Sequence, residues 1–224
     1  MKKLLLVGNS QFAELAFEYF SLTNKYYVES FFVDNEFIKS KNLQNRPVQD
    51  INNIANYNKN DYSVFVAVGY SKLNRTRQNF IKKIQDLNFN LISYLSPHAF
   101  VSPKAKISTN CFIFEKNVIQ SGVNIETGSI LWSGNHIGHD TKIEKNCFIS
   151  SHVVISGNCI IKSNSFLGVN TTVVDGITIE KDNWIDAGCL IKKNTKEGQI
   201  YRSNNISLSH NVDVYKFFKI EKKI

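Results

Sequence analysis

No apolar run in the 224-residue chain approaches the ~20 residues that cross a bilayer as a helix, so membrane insertion is not expected. The opening "MKKLLLVG" carries two lysines and a short apolar stretch. "GNSQFAE" follows it in place of a cleavage site, so a buried strand fits better than an export signal. Without such a signal the cytoplasm is the expected compartment. Cysteine is scarce, and Cys111, Cys147, Cys159 and Cys189 never form close pairs, which argues against disulfide and zinc frameworks. Acidic residues are outnumbered, 19 against 27 Lys and Arg, for a formal charge of +8. The lysines are scattered rather than striped, which suits nucleotide or phosphate ligands better than nucleic acid. A G-x-G-x-x-G fingerprint is also missing. The first turn keeps only Gly8, so nicotinamide dinucleotide binding is not expected.

What is present begins with alternating strand and helix patterns. "KKLLLVG" (2–8), "YYVESFFVDN" (26–35) and "DYSVFVAVGY" (61–70) read as buried parallel strands. Between them, Phe12, Leu15, Ala16, Tyr19 and Phe20 share one helical face, and a second amphipathic helix over 73–89 turns Phe80, Ile84 and Leu87 inward. This alternation predicts a small parallel sheet covered by helices, with ligands at the carboxyl ends of its strands.

From Val101 the period changes to six. Val101, Ile107, Ile113, Ile119, Ile125, Leu131, Ile137, Ile143, Ile149, Ile155, Ile161, Leu167, Val173, Ile179, Ile185 and Ile191 are all branched aliphatics. A scrambled order of the 26 Ile, Leu and Val residues in 101–196 would place only about four on that register. Neither a 3.6-residue nor a two-residue period does this; hexapeptides winding a parallel β-helix do. Four residues after each aliphatic comes a second inward position, mostly small: Cys111, Asn117, Val123, Ser129 and so on to Thr195, with all four cysteines among them. Three hexapeptides make one 18-residue triangular coil, about five coils in all. The N-terminal domain is expected to cap one end of the stack, and "QIYRSNNISLSHNVDVYKFFKI" (199–220) the other.

A small nucleotide-binding-like domain followed by such repeats resembles the bacterial sugar acyltransferases of the sialic-acid O-acetyltransferase and pilin-glycan N-acetyltransferase type. "GNHIGHDTKIEKNCFISSHVVISG" (134–157) is most similar to the branch that acetylates the 4-amino group of nucleotide-linked 4-amino-4,6-dideoxysugars such as perosamine. The resemblance implies a Rossmann-like α/β domain over 1–96 that binds the nucleotide sugar, a left-handed parallel β-helix over 97–196 and a C-terminal cap over 197–224. It implies a homotrimer using acetyl-CoA and no metal, with the cofactor between neighbouring helices, and a role in surface-glycan biosynthesis such as that of O-antigen. Some members carry a histidine nine residues after the base; Phe148 stands there in this chain, which fits the perosamine-type branch better than the pilin-glycan one.

His139 follows the inward Ile137 by two, so its side chain is expected to point outward, with Asp140 beside it. On the residues alone it is equally a base or an exposed turn histidine. By resemblance "GHD" matches the catalytic histidine and its acidic neighbour. An amine attacking a thioester must lose a proton, imidazole can take it, and a carboxylate stabilises the imidazolium formed. One coil on from His139 lies Gly157, either a plain turn glycine or a gap that leaves an amide and space beside the base. Ser151, Val169 and Ala187 form another column, with Gly168 and Gly188 beside it. The resemblance implies acetyl-CoA contacts at Gly157, Val169 and Ala187, and Ser151, Gly188, Lys192 and Lys193 are further cofactor candidates, as is Arg202. Zinc on His136, His139 and His152 is the chief rival, as in trimeric carbonic anhydrases, but their offsets share no column. His136 is a candidate substrate contact, His152 is structural or lines the acyl groove, and His98 and His210 carry no signal.

In the N-terminal domain, Asn9, Ser10 and Gln11 at a helix start are candidates for the nucleotide-sugar phosphates. Asp34 and Asn35 end the second strand, and Gly69 and Tyr70 the third. Lys72, Arg75 and Arg77 stand near enough to neutralise a diphosphate. Two other functions stay open at this point: transfer to a sugar hydroxyl, with the same base, and a non-catalytic sugar-nucleotide-binding subunit.

Overall fold

A computed structural model describes residues 1–203. The apolar runs pair as read. β1 (Lys2–Val7), β2 (Tyr26–Val33), β4 (Arg46–Asp50), β5 (Tyr62–Val66) and β6 (Asn90–Leu91) form a parallel sheet, and β3 (Asn42–Leu43) adds an antiparallel edge. The order β3-β4-β2-β1-β5-β6 puts β1 at the centre. Its residues Leu4 to Val7 are inaccessible, as a strand covered on both faces requires. The chain leaves β1 for β2 on one side and later places β5 on the other. That reversal opens a crevice at the carboxyl ends of β1 and β5. Gly8 is fixed there by close approach: it holds φ +127°, and a Cβ on it would collide with the Ala67 carbonyl oxygen.

Helix α1 (Gln11–Leu22) buries Phe12, Ala13, Ala16 and Phe20, close to the expected face. Helix α2 (Arg75–Asp86) departs from expectation. Its fully buried residues are Arg77, Ile81 and Ile84, whereas Phe80 and Leu87 only flank the core. Periodicity assigned the inward stripe by apolarity and therefore skipped an arginine at its centre.

The hexapeptides wind as read. Two-residue strands run from β7 (Tyr94–Leu95) to β24 (Ile200–Tyr201) and stack into three parallel sheets of seven, six and five strands. These are the three faces of a triangular coil. The first face holds the strands from Tyr94–Leu95 to Ile200–Tyr201, the second those from Phe100–Val101 to Leu190–Ile191, the third those from Lys106–Ile107 to Thr178–Ile179. Partners are 18 residues apart, as Ile119 to Ile137 to Ile155. From Ile113 to Ile185 every inward aliphatic is inaccessible, and all four cysteines are buried among them. Burial raises the Cys111 and Cys147 thiols to about 12, so they are inert filler rather than nucleophiles.

A third period completes each corner. The residue three after each aliphatic has positive φ from Asn110 to Gly188, and it is Asn, Asp or Gly except at Lys116 and His152. These types bear the left-handed conformation most easily, and here they let the chain turn at every corner.

The N-terminal domain was expected to cap an end of the coil. It instead lies along the first face. Tyr94, Phe112, Ile130, Phe148, Phe166 and Trp184 point outward there, one per coil, and Phe12, Phe20 and Phe65 pack on Phe112. Aromatic outward positions, not an open coil end, supply the apolar surface that this domain needs. At the far end Ile200–Tyr201 pairs with Trp184–Ile185; the rest of the expected C-terminal cap, with His210, lies outside the described residues.

Candidate functional site

His139 and Asp140 occupy the corner between the second and third faces. The positive φ of Asp140 (58°) turns its side chain back along the corner, where Oδ2 lies 3.0 Å from His139 Nδ1. Gly122, one coil below, makes room for this. A Cβ there would collide with Asp140 Oδ1, so the carboxylate sits where a side chain would otherwise be. The His139 amide is held by Gln120 Oε1 at 2.9 Å. With Nδ1 engaged, Nε2 is the nitrogen left to act. More than half of the His139 side chain is exposed, at 55%.

Gly157 stands one coil on, and its role is now geometric. A Cβ placed there would lie 2.6 Å from His139 Nε2 and 3.0 Å from Asp175 Oδ1. The missing side chain therefore lets the imidazole and a carboxylate pack close on the glycine Cα, and the ring itself fills the space that a side chain would need. The Gly157 N–H donates to no acceptor among the described residues. Lys193 continues the same column two coils beyond Gly157, roughly 10 Å at the ~4.8 Å coil spacing. Lys192 and Lys193 are both exposed.

The other cofactor candidates stand elsewhere in this chain. Ser151, Val169, Ala187 and Gly188 lie on the corner between the first and second faces, with Val169, Ala187 and Gly188 exposed. His152 is on that corner too, its φ +58°, its ring lying over Gly134. His136 is on the second face between Val118 and Val154. The three central histidines thus occupy two corners and a face, and among the described residues no three His, Cys, Asp or Glu side chains gather as a metal-binding group.

In the N-terminal domain, Asn9, Ser10 and Gln11 follow β1, and Asp34 and Asn35 follow β2 beside it. Asn9 Nδ2 donates to the Phe37 carbonyl at 2.8 Å, tying the two strand ends together. Ser10 caps α1 through its carbonyl, which accepts from Ala13 and Glu14, and its hydroxyl makes no cap bond. A cavity of about 840 Å³ runs along α1 and includes Gln11 but none of the other expected contacts. Gly69 and Tyr70 follow β5 on the other side of β1, and Tyr70 lies against the first face. The half-exposed Tyr70 ring lies 5.0 Å from both Phe148 and Phe166.

Arg77 corrects an expectation. It is fully buried and cannot reach a diphosphate. Its guanidinium donates to the carbonyls of Val68 and Gly69, to those of Gly128, Asn146 and Cys147 in the coil, and to Asn74 Oδ1. Burial pulls its pKa down to about 9, which leaves it charged at neutral pH. Arg75 is likewise committed, to Asp182 at 2.8 Å. Asp175, Gly122 and Gln120 are the site neighbours that the sequence reading passed over. Adding 18 to Gly157 would have found the first, and subtracting 18 from Asp140 the second.

Comparison with known proteins agrees with this architecture. Residues 3–84 match the family model described as the PglD N-terminal domain. No curated protein matches the sequence. Among solved structures the chain is similar to a mutant of perosamine N-acetyltransferase from Caulobacter crescentus in complex with CoA and GDP-perosamine. Identity is 22%, the TM-score is 0.81, and the match covers 88% of this chain and 92% of that one. The acetyltransferase domain of PglB from Neisseria gonorrhoeae follows at 23% identity and TM-score 0.80, over 89% and 96% of the two chains. WeeI from Acinetobacter baumannii reaches 12% and 0.63, over 88% and 94%. These likenesses establish the fold class: an α/β N-terminal domain followed by a left-handed parallel β-helix.

Proposed function

We propose that this protein is an acetyl-CoA-dependent N-acetyltransferase acting on the 4-amino group of a nucleotide-linked 4-amino-4,6-dideoxysugar, perosamine or a relative, in the cytoplasmic assembly of a surface glycan. The observation that carries the reading is the corner at Gly157: an exposed imidazole with Nδ1 engaged by Asp140 lays Nε2 over a glycine, where any side chain would collide with it. The similarity to an acetyltransferase bound to CoA and GDP-perosamine supports the substrate classes.

Transfer is direct. The sugar amine attacks the thioester carbonyl, the N–C bond forms as the C–S bond breaks, and His139 Nε2 takes the amine proton and passes it to the departing thiolate. Asp140 orients the ring and stabilises its charged form. The unpaired Gly157 amide is available to the thioester oxygen. Lys192 and Lys193 are suited to the CoA phosphates. Asn9, Ser10, Gln11, Asp34 and Asn35 are the candidate nucleotide contacts, and Gly69, Tyr70 and His136 the candidate sugar contacts.

The assembly we propose is a homotrimer. Of the three faces, the first is covered by the N-terminal domain. The third carries ion pairs such as Lys142–Glu126 and Lys162–Glu180. The second leaves Phe100, Val118, Val154 and Leu190 bare. Closing that face against another copy would set the His139 corner of one chain against the Ser151, Val169 and Ala187 corner of the next. The pantetheine arm then lies between two chains, which accounts for the two columns being separate within one.

Purified protein, acetyl-CoA and a panel of nucleotide-linked amino sugars should release free thiol. In His139→Asn the rate should fall by about 10²–10⁴, the range for loss of a general base, with substrate binding retained. Near-wild-type turnover by that variant would rule the mechanism out.

A further inference from the structure

We propose that Asp175 selects the acceptor: its carboxylate stands beside His139 Nε2 at Gly157 and makes the site prefer a sugar amine over a sugar hydroxyl. The proposal rests on the transfer reading above and adds a residue and a specificity to it.

The geometry comes first. The three residues His139, Gly157 and Asp175 share one column, a coil apart. Any side chain at position 157 would separate the outer two. Glycine lets both close in on its Cα: the point where a Cβ would stand is 2.6 Å from Nε2 and 3.0 Å from Oδ1, so those two atoms are no further apart than two hydrogen-bond lengths. A group hydrogen-bonded to His139 Nε2 is therefore also within reach of Asp175. Among the described residues Asp175 forms no ion pair, and it is exposed.

Charge then says which group. Of the two substrates, CoA carries only negative phosphates, and a carboxylate repels them. The thioester is neutral. The one cationic group either substrate can bring is the acceptor's own nitrogen, which binds as an ammonium at neutral pH. An ammonium–carboxylate hydrogen bond is charge-assisted; a hydroxyl at the same place gains only a neutral one. The ammonium gives one proton to bulk water before attack. The neutral amine then forms the N–C bond as the C–S bond breaks, and its remaining surplus proton passes through His139 to the thiolate. Asp175 binds the acceptor, and His139 remains the base.

The test is calorimetric and kinetic, on full-length protein with CoA present. GDP-, UDP- and dTDP-linked 4-amino-4,6-dideoxyhexoses are compared with their 4-hydroxyl counterparts. The wild type should bind the amino form of its nucleotide about five- to tenfold more tightly, as a partly exposed charge pair allows. Asp175→Asn should lose that preference, Asp175→Glu should keep most of it, and both should melt like the wild type. In thiol-release assays KM for the amino sugar should rise in Asp175→Asn while KM for acetyl-CoA and kcat stay near wild-type values. An unchanged preference in Asp175→Asn, or a change in the acetyl-CoA KM instead, overturns the proposal. A wild type with an Asp175-dependent preference for the amine but no thiol release sinks acetyl transfer and leaves the acceptor role of Asp175 standing. A wild type that binds no member of the panel overturns both.

Discussion

At position 157 a hydrogen atom stands where any other residue would put carbon, and the chemistry proposed for this corner depends on that difference. Gly157 is buried without a positive φ, so an alanine is tolerated by the backbone. Its methyl group would stand 2.6 Å from His139 Nε2, closer than Cβ atoms approach anything, and the ring would have to swing out. Misplacing a catalytic group by about 1 Å costs on the order of 100-fold in rate. Gly157→Ala should therefore lower kcat by about that factor while the melting temperature stays within a few degrees. Equal losses in rate and stability would mean that the glycine serves the coil and not the reaction. Two other glycines of the coil have different reasons for being small. A Cβ on Gly138 would lie 2.5 Å from the Gly157 nitrogen, and one on Gly168 2.5 Å from the Ala187 nitrogen, so both are steric necessities of stacking.

The coil itself was legible because three positions in each hexapeptide answer to separate constraints. The inward aliphatics fill the axis. The second inward position, Cys111 through Thr195, is buried as read, and its polar members satisfy themselves on the next rung, as Ser129 Oγ on the Glu144 carbonyl and Thr141 Oγ1 on that of Ser156. The corner position was readable and was missed: its Asn, Asp and Gly repeat is the signature of the left-handed turn. The aromatic ladder was harder to find. Tyr94, Phe112, Phe148, Phe166 and Trp184 recur every 18 residues and not every six, because only one face in three meets the N-terminal domain. Lys116 tests the corner rule. It holds φ +58° at the steric cost of its Cβ against the carbonyl oxygen, a cost that asparagine largely offsets by local hydrogen bonding. Lys116→Asn should stabilise the protein by about 0.5–1 kcal/mol, read as a rise in the urea midpoint at unchanged slope. A fall would show that the Lys116 side chain contributes more than its backbone strain costs.

On the scale of the whole molecule, several polar ties fix the N-terminal domain along the coil, among them the Val66 N–H to Asn110 Oδ1 bond and the Arg75–Asp182 ion pair, and two more bear most on stability. One is Arg77, whose donors span the Gly69 loop and the corner carbonyls; its place in an apolar stripe hid it from the sequence reading. The other is Glu115, on a coil corner, which accepts from Tyr19 of α1 at 3.1 Å and from Ser133 at 2.6 Å. Burial pushes the Glu115 carboxyl up, but the hydrogen bonds from Ser133, its own backbone and Tyr19 outweigh that and leave it below its ordinary value of 4.5. Burial first, and then the bond to Glu115, raise Tyr19 to about 12, so its hydroxyl stays a donor throughout the working range. A carboxyl lowered by folding contributes stability above its unfolded pKa, and that stability is lost as pH falls through the folded value. Glutamine at 115 cannot accept from both hydroxyls and does not titrate. Glu115→Gln should therefore be less stable than the wild type by about 1 kcal/mol at pH 7, the usual net worth of such a bond. The gap should narrow as pH drops below 4.5 and close once the wild-type carboxyl is protonated too. Urea unfolding of both proteins from about pH 7 to pH 3 measures this directly. A gap that stays constant over that range would mean that the carboxylate charge does not hold α1 to the coil.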